Sequence, residues 1–237
     1  MRAIGIIPAR MASTRFPGKP LAKILGRAMI EWVWMAAKES RLIDPVFVAT
    51  PDQDLAAFCE AKRIQVILTG AGCRNGTERC HDAMRQLAAR DPDEIVVNIQ
   101  GDEPAIRPES LDDLARAFED PKVEIASLYR LEAGRQGNGD PNRVKVLVMK
   151  NGDAFSFTRD PVHPAVHFGI HIGVYGYRRQ ALAELVKLEP RGSLEQTAWL
   201  VGRRRIRMVP IDYPTAAVDT QGDLARAEEA LEAGMRP

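Results

Sequence analysis

Ala3-Ile4-Gly5-Ile6-Ile7-Pro8-Ala9-Arg10-Met11-Ala12-Ser13-Thr14-Arg15-Phe16-Pro17-Gly18-Lys19-Pro20-Leu21 is the stretch that decides how the chain is read. Its first five residues carry no charge and no polar side chain, the composition of a strand buried on both faces. A loop follows in which Arg10, Arg15 and Lys19 fall within ten residues, with Ser13, Thr14 and Gly18 between them. Small residues let backbone N–H groups approach a ligand, and the three cations add charge. The combination suits a polyphosphate, and a triphosphate leaving as pyrophosphate needs that neutralisation. The spacing is not the GxxxxGK(S/T) of a Walker loop, and the absence of GxGxxG argues against a dinucleotide site.

Outward from this loop the first half alternates strand and helix. Strands are expected at Ala3–Pro8, Pro45–Thr50, Ile64–Leu68 and Glu94–Gln100, and helices at Ala28–Ser40, Gln53–Lys62 and Glu78–Ala89. Near-continuous apolar strands separated by helices give a parallel sheet covered on both faces, a three-layer α/β sandwich. Ligands then sit beyond the carboxyl ends of the strands. The basic loop, Thr50-Pro51-Asp52, Asn75-Gly76-Thr77-Glu78-Arg79 and Gln100-Gly101-Asp102-Glu103-Pro104 all fall at such ends.

The second half changes character. Val144–Met149 and Ala154–Thr158 flank Asn151-Gly152, a hairpin turn signal. Further β-like runs at Val166–Tyr177 and Arg205–Ile211 alternate with helical patterns at Arg179–Leu188, Leu194–Gly202 and Gln221–Ala233. The expectation is one domain over residues 1–237, with a mostly parallel mixed sheet and a small inserted β-hairpin lobe at roughly 130–200. Gly-rich Glu132–Asp140 reads as a surface loop.

With 237 residues, 45% of them hydrophobic, the chain can bury a full core, and a net charge of +1 argues against a general nucleic-acid binder. Arg203-Arg204-Arg205 reads as a solvated strand edge. Three cysteines (Cys59, Cys73 and Cys80) at irregular spacing form no disulfide framework, and Cys73, Cys80 and His81 fit no common zinc pattern. A strand straight after Met1 leaves no room for a signal peptide, and no apolar run approaches a membrane span. A soluble cytoplasmic protein without membrane or nucleic-acid partners is expected.

Several residues carry two readings. Asp102 follows Gln100-Gly101 at a strand end and either binds a divalent ion or makes an Asx-type turn. Asp219 precedes the last helix, where Asp219 or Thr220 suits an N-cap; alternatively Asp102 and Asp219 share one Mg²⁺, with a triphosphate supplying further oxygens. Thr77 is an N-cap candidate for a helix whose amides face a ligand, and Arg79 has donors for a base carbonyl. His171 and Tyr175, at i and i+4 of a strand, share a face, as a packed polar pair or as a pocket wall. Glu195-Gln196 is either an exposed helix face or part of that wall.

Seven motifs in order, from Pro8-Ala9-Arg10 through Ser13-Thr14-Arg15 and Pro17-Gly18-Lys19-Pro20-Leu21, Gly76-Thr77-Glu78-Arg79, Val97-Asn98-x-Gln100-Gly101-Asp102-Glu103-Pro104, Asn142-x-Val144-Lys145-Val146, His171-x-Gly173-x-Tyr175-Gly176-Tyr177-Arg178 and Leu194-Glu195-Gln196 to Val218-Asp219-Thr220, resemble the 3-deoxy-manno-octulosonate cytidylyltransferase (CMP-Kdo synthetase) family. The resemblance runs from Ile4 to about Ala230. It implies a nucleotide-diphospho-sugar transferase-like fold and an enzyme that transfers CMP from CTP to a sugar acid, releasing pyrophosphate, in lipopolysaccharide biosynthesis. Arg10, Ser13, Arg15 and Lys19 would hold the triphosphate, and Thr50, Gly76 and Arg79 would surround the cytosine. Mg²⁺ would sit on Asp102 and Asp219. Arg15, Gln100, His171, Tyr175, Glu195 and Gln196 would line the acceptor pocket. Lys19, Asp102 and Arg15 would carry the catalysis, and a homodimer would form through the hairpin lobe.

Two segments are shorter than the resemblance implies: Asp160–Pro164, which runs quickly to His171, and Glu189–Ser193 before Leu194-Glu195-Gln196. Both border the expected acceptor pocket, so a modified octulosonate, another 2-keto sugar acid or a small phosphonate acid are alternative acceptors. Two readings of other classes remain. One is a nucleotide-sugar glycosyltransferase, whose Asp-x-Asp motif Asp52-Gln53-Asp54 would match at a helix start, where capping also explains it. The other is a catalytically silent binder, against which Arg10, Lys19, Asp102 and Asp219 argue.

Overall fold

A computed structural model describes residues 2–88, 93–131, 138–163 and 165–235. Strand β1 is Ala3–Pro8. After its loop, a two-residue pair, β2 (Lys23–Ile24) and β3 (Arg27–Ala28), leads into helix α1, Met29–Glu39. Then come β4 (Ile43–Thr50), α2 (Gln53–Ala61), β5 (Val66–Leu68), α3 (Gly76–Gln86) and β6 (Ile95–Asn98). The next elements are α4 (Pro108–Arg116), β7 (Ile125–Leu131), β8 (Lys145–Val148), β9 (Ala154–Thr158) and β10 (Gly169–Arg178). Helices α5 (Arg179–Leu185) and α6 (Glu195–Val201), strand β11 (Arg207–Ile211) and helix α7 (Leu224–Met235) complete the chain.

The main sheet runs in the order β11-β7-β10-β6-β1-β4-β5. β1 pairs parallel with β4 and β6, β4 with β5 and β7 with β11, whereas β10 is antiparallel to both β6 and β7. The β8–β9 hairpin hangs from the start of β10, where Gly169 and Ile170 face Val146 and Lys145. This is the mostly parallel mixed sheet expected, with β10 running antiparallel between β7 and β6 and the β8–β9 hairpin continuing that antiparallel part.

β1 shows why three layers form. Ala3 and Ile7 enter a core that also holds Ile30 and Val33 of α1, Leu55 of α2 and Leu111 and Leu114 of α4. Ile4 and Ile6 enter the opposite core, with Cys80 and Met84 of α3, Leu182 and Leu185 of α5 and Trp199 of α6. Successive side chains of a strand point to opposite faces, so an unbroken apolar run needs a helical layer on each side. Burying Ile6 and Ile7 completely, one per face, stabilises the fold by roughly 1.5–3 kcal/mol each.

Helix α4 and strand β7 fill a stretch to which the sequence reading assigns no element. Ser127 and Arg130 break the apolar run of β7, and α4 announces itself only by Pro108 in its first turn. Helix α3 begins two residues earlier than expected, because Asn75 is its cap and accepts the Glu78 N–H at 2.9 Å; Thr77 therefore lies inside the first turn. Its expected end, Ala89, and the 132–137 part of the Glu132–Asp140 loop lie outside the described residues.

Candidate active site

The loop after β1 is fastened at several points. The Met11 N–H donates to Asp52 Oδ2 at 2.6 Å, the Gly18 N–H to Met11 O at 3.0 Å and the Phe16 N–H to Ser13 Oγ at 3.3 Å. Gly18 has φ +74°, a left-handed conformation that glycine adopts without a Cβ penalty. It turns the chain into Lys19-Pro20-Leu21, a short 3-10 turn that aims Lys19 inward.

Thr50 departs from expectation. It is fully buried, its hydroxyl accepts the Asp52 N–H at 3.1 Å, and it does not reach the cavity wall where the base was expected to meet it. As the last residue of β4, it sits under the loop and steadies the Asp52 carboxylate that holds Met11. Asp52 is thereby engaged as a loop tether, and neither it nor Asp54 lines the cavity that the basic loop borders.

That cavity, about 300 Å³, brings together the residues expected to share a ligand. Arg10, Ser13, Arg15 and Lys19 line it from the loop, Gly76, Arg79 and Gln100 from the ends of α3 and β6, and Asp102 and Asp219 close it. Lys19 Nζ donates to Asp102 Oδ2 at 2.7 Å and to Val218 O at 2.9 Å, and Arg15 Nη2 donates to Asp219 Oδ1 at 2.8 Å. The Val218 N–H returns to Asp102 O at 2.9 Å, which fixes the late segment to the β6 end. The capping alternative for Asp219 is resolved locally. Thr220 and Asp223 form the capping box, and the Asp223 carboxylate takes the Asp219 N–H, so the Asp219 side chain is left for the cavity.

A Cβ at position 76 would come within 2.8 Å of Gln100 Nε2 and 3.2 Å of Pro8 Cγ, so glycine here leaves the Gln100 amide in its place on the wall. Arg79 is buried and anchored by Nη1 donating to Thr69 Oγ1 at 2.7 Å, which holds the guanidinium at the wall. Glu103, next to Asp102, is buried and carries no local signal of a role in the sequence. Burial first, then the charges of Asp102 and Asp219, push its carboxyl up to about 8, with Lys19 acting the other way. The negative potential of the two aspartates therefore converges on this corner. Arg74 also lines the cavity; only its place beside the α3 cap could have marked it.

A larger cavity, about 840 Å³, shares Arg15, Gln100 and Asp219 with the first. His171, Tyr175, Glu195 and Gln196 all line it. His171 and Tyr175 do share a face, with ring centroids 5.4 Å apart, despite a bulge between Ile172 and Tyr175. The His171 Nε2 lies 2.9 Å from Ser127 Oγ, and burial pushes the imidazole down to about 3, so the ring is neutral at physiological pH. Gln196 Nε2 donates to the Tyr175 hydroxyl, while its buried Oε1 has no partner among the described residues. Thr77 Oγ1 donates to Glu195 Oε2 at 2.9 Å, and burial pushes that carboxyl up to about 7. Two adjoining compartments result, a small one of basic loop and paired carboxylates and a larger one in which His171, Tyr175, Glu195 and Gln196 stand among arginines such as Arg143, Arg159 and Arg191.

Comparison with known proteins agrees with this layout. The cytidylyltransferase family matches residues 4–213. A protein of Myxococcus xanthus named 3-deoxy-manno-octulosonate cytidylyltransferase is 41% identical, over 98% of this chain and 97% of its own. A mitochondrial protein of Arabidopsis thaliana with the same name is 35% identical over 97% and 83%. Among solved structures, CMP:2-keto-3-deoxy-manno-octonic acid synthetase complexed with CTP has a TM-score of 0.90 at 31% identity, covering 99% of this chain and 100% of that one. Near-complete overlap in both sequence and backbone, around a pocket of basic loop and paired carboxylates, leaves one assignment: the chain belongs to the 3-deoxy-manno-octulosonate cytidylyltransferase family of cytidylyltransferases.

Proposed function

We propose that this enzyme transfers CMP from CTP to 3-deoxy-manno-octulosonate and releases pyrophosphate. The observation that carries the reading is the meeting of Arg10, Arg15 and Lys19 with Asp102 and Asp219 around one cavity, next to a second lined by His171, Tyr175, Glu195 and Gln196. The relatives named for this sugar acid, and the related structure named as a CTP complex, support both substrates.

In the reaction the anomeric hydroxyl oxygen of the acid attacks the α-phosphorus of CTP. The bond to the bridging oxygen breaks opposite the attack, the hydroxyl proton is lost and pyrophosphate departs. Positioning and charge neutralisation dominate such a transfer. Arg10, Ser13, Arg15 and Lys19 bind the triphosphate, and Lys19 neutralises charge growing on the leaving group. Gly76 and Arg79 border the base; Thr50 acts from below, through Asp52. The neutral His171, the Tyr175–Gln196 pair and Glu195 orient the acceptor hydroxyls, and the unpartnered Gln196 Oε1 offers an acceptor for one of them.

Asp102 and Asp219 fit a Mg²⁺. They are hard oxygen donors on one cavity, each facing a cation in the structure. Among the described residues no group of three or more His, Cys, Asp or Glu is placed to hold a metal. Few protein ligands is the economy of Mg²⁺ sites, which leave positions to phosphate and water. Bound there, the ion would supply charge neutralisation at the phosphates and acidify the attacking hydroxyl.

The chain works as a homodimer through the hairpin lobe, where Leu131, Met149 and Phe155 are exposed, Phe155 by 67%. Light scattering should give twice the chain mass, and a monomer at micromolar concentration contradicts it. No helix among the described residues is long and apolar enough to cross a membrane. The free thiols of Cys59, Cys73 and Cys80 suit a reducing compartment that contains CTP, the cytoplasm.

The test is an acceptor panel with CTP and Mg²⁺, read by pyrophosphate release. Octulosonate should give the highest kcat/KM. Residues 190–193 line the acceptor cavity in the shortened segment, so the panel includes a modified octulosonate, another 2-keto sugar acid and a small phosphonate. Turnover of one of those without turnover of octulosonate overturns the acceptor, and no release from any of them overturns the transfer.

A further inference from the structure

Thr77 stands at the seam of the two compartments. It follows Gly76, a wall of the smaller cavity, and its side chain points the other way, to Glu195 on the wall of the larger one. The residue is buried, and Thr77 and Glu195 are separated by 118 positions in the chain. A hydroxyl has one proton to give. With that proton on Glu195 Oε2, the contact of 3.3 Å between Thr77 Oγ1 and the Tyr177 hydroxyl is one in which Tyr177 donates. A directed chain results, Tyr177 to Thr77 to Glu195, running from β10 to the acceptor wall.

We propose that Thr77 is a positioning residue for the transfer, holding the Glu195 carboxylate in the orientation in which it meets the acceptor from the turn that also walls the nucleotide cavity. The inference rests on the reading that Glu195 faces the acceptor. Glu195 sits where its charge is hard to keep: burial and the like charge of Glu78 both favour the neutral form, and the Thr77 hydrogen bond opposes them. The titratable groups facing it are Glu78 and Cys80 on α3 and Tyr175 and Tyr177 on β10, with His171 beyond Tyr175. Burial holds the Cys80 thiol and both tyrosine hydroxyls well above their usual ranges, so none of them contributes a competing charge near neutrality. Without the Thr77 donor, Glu195 is free to rotate and takes up a proton at higher pH. A protonated carboxyl loses its charge and presents an O–H donor at one of the two oxygens that accept from the sugar hydroxyls in the ionised form.

Thr77→Val keeps the shape and the β-branch and removes the donor; Thr77→Ser keeps the donor. A hydrogen bond to a charged group supports a rise of about tenfold in the acceptor KM for Thr77→Val. The Kd for CTP should stay near that of the parent protein, and the acid limb of kcat/KM for the acceptor should move to higher pH. Thr77→Ser should restore both. In a Glu195→Gln background, adding Thr77→Val should change acceptor kinetics little. Equal weakening of CTP and acceptor, equal losses in the valine and serine variants, or an unmoved pH profile would each overturn the positioning role. Should Glu195→Gln leave the acceptor KM unchanged, the acceptor-wall reading falls first and takes this inference with it. Loss from Glu195→Gln with a normal Thr77→Val enzyme rejects the role of Thr77 alone.

Discussion

Lys19→Met should fold normally and turn over at least ~100-fold more slowly than the parent enzyme, the typical effect of removing one donor aimed at developing charge. The hydrogen bonds that shape the loop are made by the backbone of Met11, Phe16 and Gly18 and by Asp52 and Ser13, none of them through the Lys19 ammonium. Methionine preserves most of the stem. The lost ion pair with Asp102 is part-buried, with side-chain exposures of 16% and 29%, so its removal also costs some stability, which thermal unfolding reports separately from turnover. The large effect belongs to chemistry, because pyrophosphate gains charge as it leaves and this ammonium lies where the basic loop meets the acidic corner. Measured kcat carries the large loss, and the enzyme stays folded at the assay temperature, with any fall in melting temperature reporting the lost contacts to Asp102 and Val218 O. A folded Lys19→Met enzyme with near-normal kcat removes Lys19 from the catalytic set.

The parts of this site that sequence alone makes legible share one property: their signals are local. The apolar run of β1, the cations of its loop and the polar ends of β4 and β6 can be read within a few residues of one another. Their convergence on one sheet edge then follows from the parallel order of the strands. Where local signals leave a choice open, a partner outside the motif decides. Asn75 and Thr77 both suit an N-cap, and capping preference does not separate them; Glu195 does, by taking the Thr77 hydroxyl across the fold. Asp219 and Thr220 pose the same choice, settled when Asp223 completes the box with Thr220. Thr50 has the composition of a ligand-facing strand end, but Asp52 turns back to the Met11 amide and draws it into the interior. Strand β7 is invisible to periodicity because Ser127 sits inside it, and Ser127 is there to meet His171 and the Val174 carbonyl across the bulge of β10. The distant partners, Glu195 for Thr77, Met11 for Asp52 and His171 for Ser127, lie in or beneath the site, whereas the choice between Asp219 and Thr220 is settled three residues on by Asp223.

Asp102→Asn provides the second large effect and separates two explanations of the first. Asparagine keeps the size and one acceptor oxygen of aspartate, so Lys19 Nζ retains a partner beside Val218 O and the loop stays in place. What disappears is one negative charge from the Mg²⁺ pair. The expected outcome is at least ~100-fold lower kcat at Mg²⁺ concentrations that saturate the parent enzyme, by analogy with other lost electrostatic contributions. The Mg²⁺ dependence should shift to higher concentration, because charge count sets affinity for a hard cation. Suppose instead that Lys19 and Asp102 matter only because they pair with each other. Then the Lys19→Met/Asp102→Asn double variant removes both orphaned charges and should recover much of the activity lost in either single variant. If Lys19 serves the leaving group and Asp102 the metal, the double variant is at least as slow as the worse single one, since neither change repairs the other. Recovery in the double variant, or an Asp102→Asn enzyme with the parent's Mg²⁺ dependence, removes Asp102 from the metal site and leaves the ion pair as a structural clasp between the loop and the end of β6.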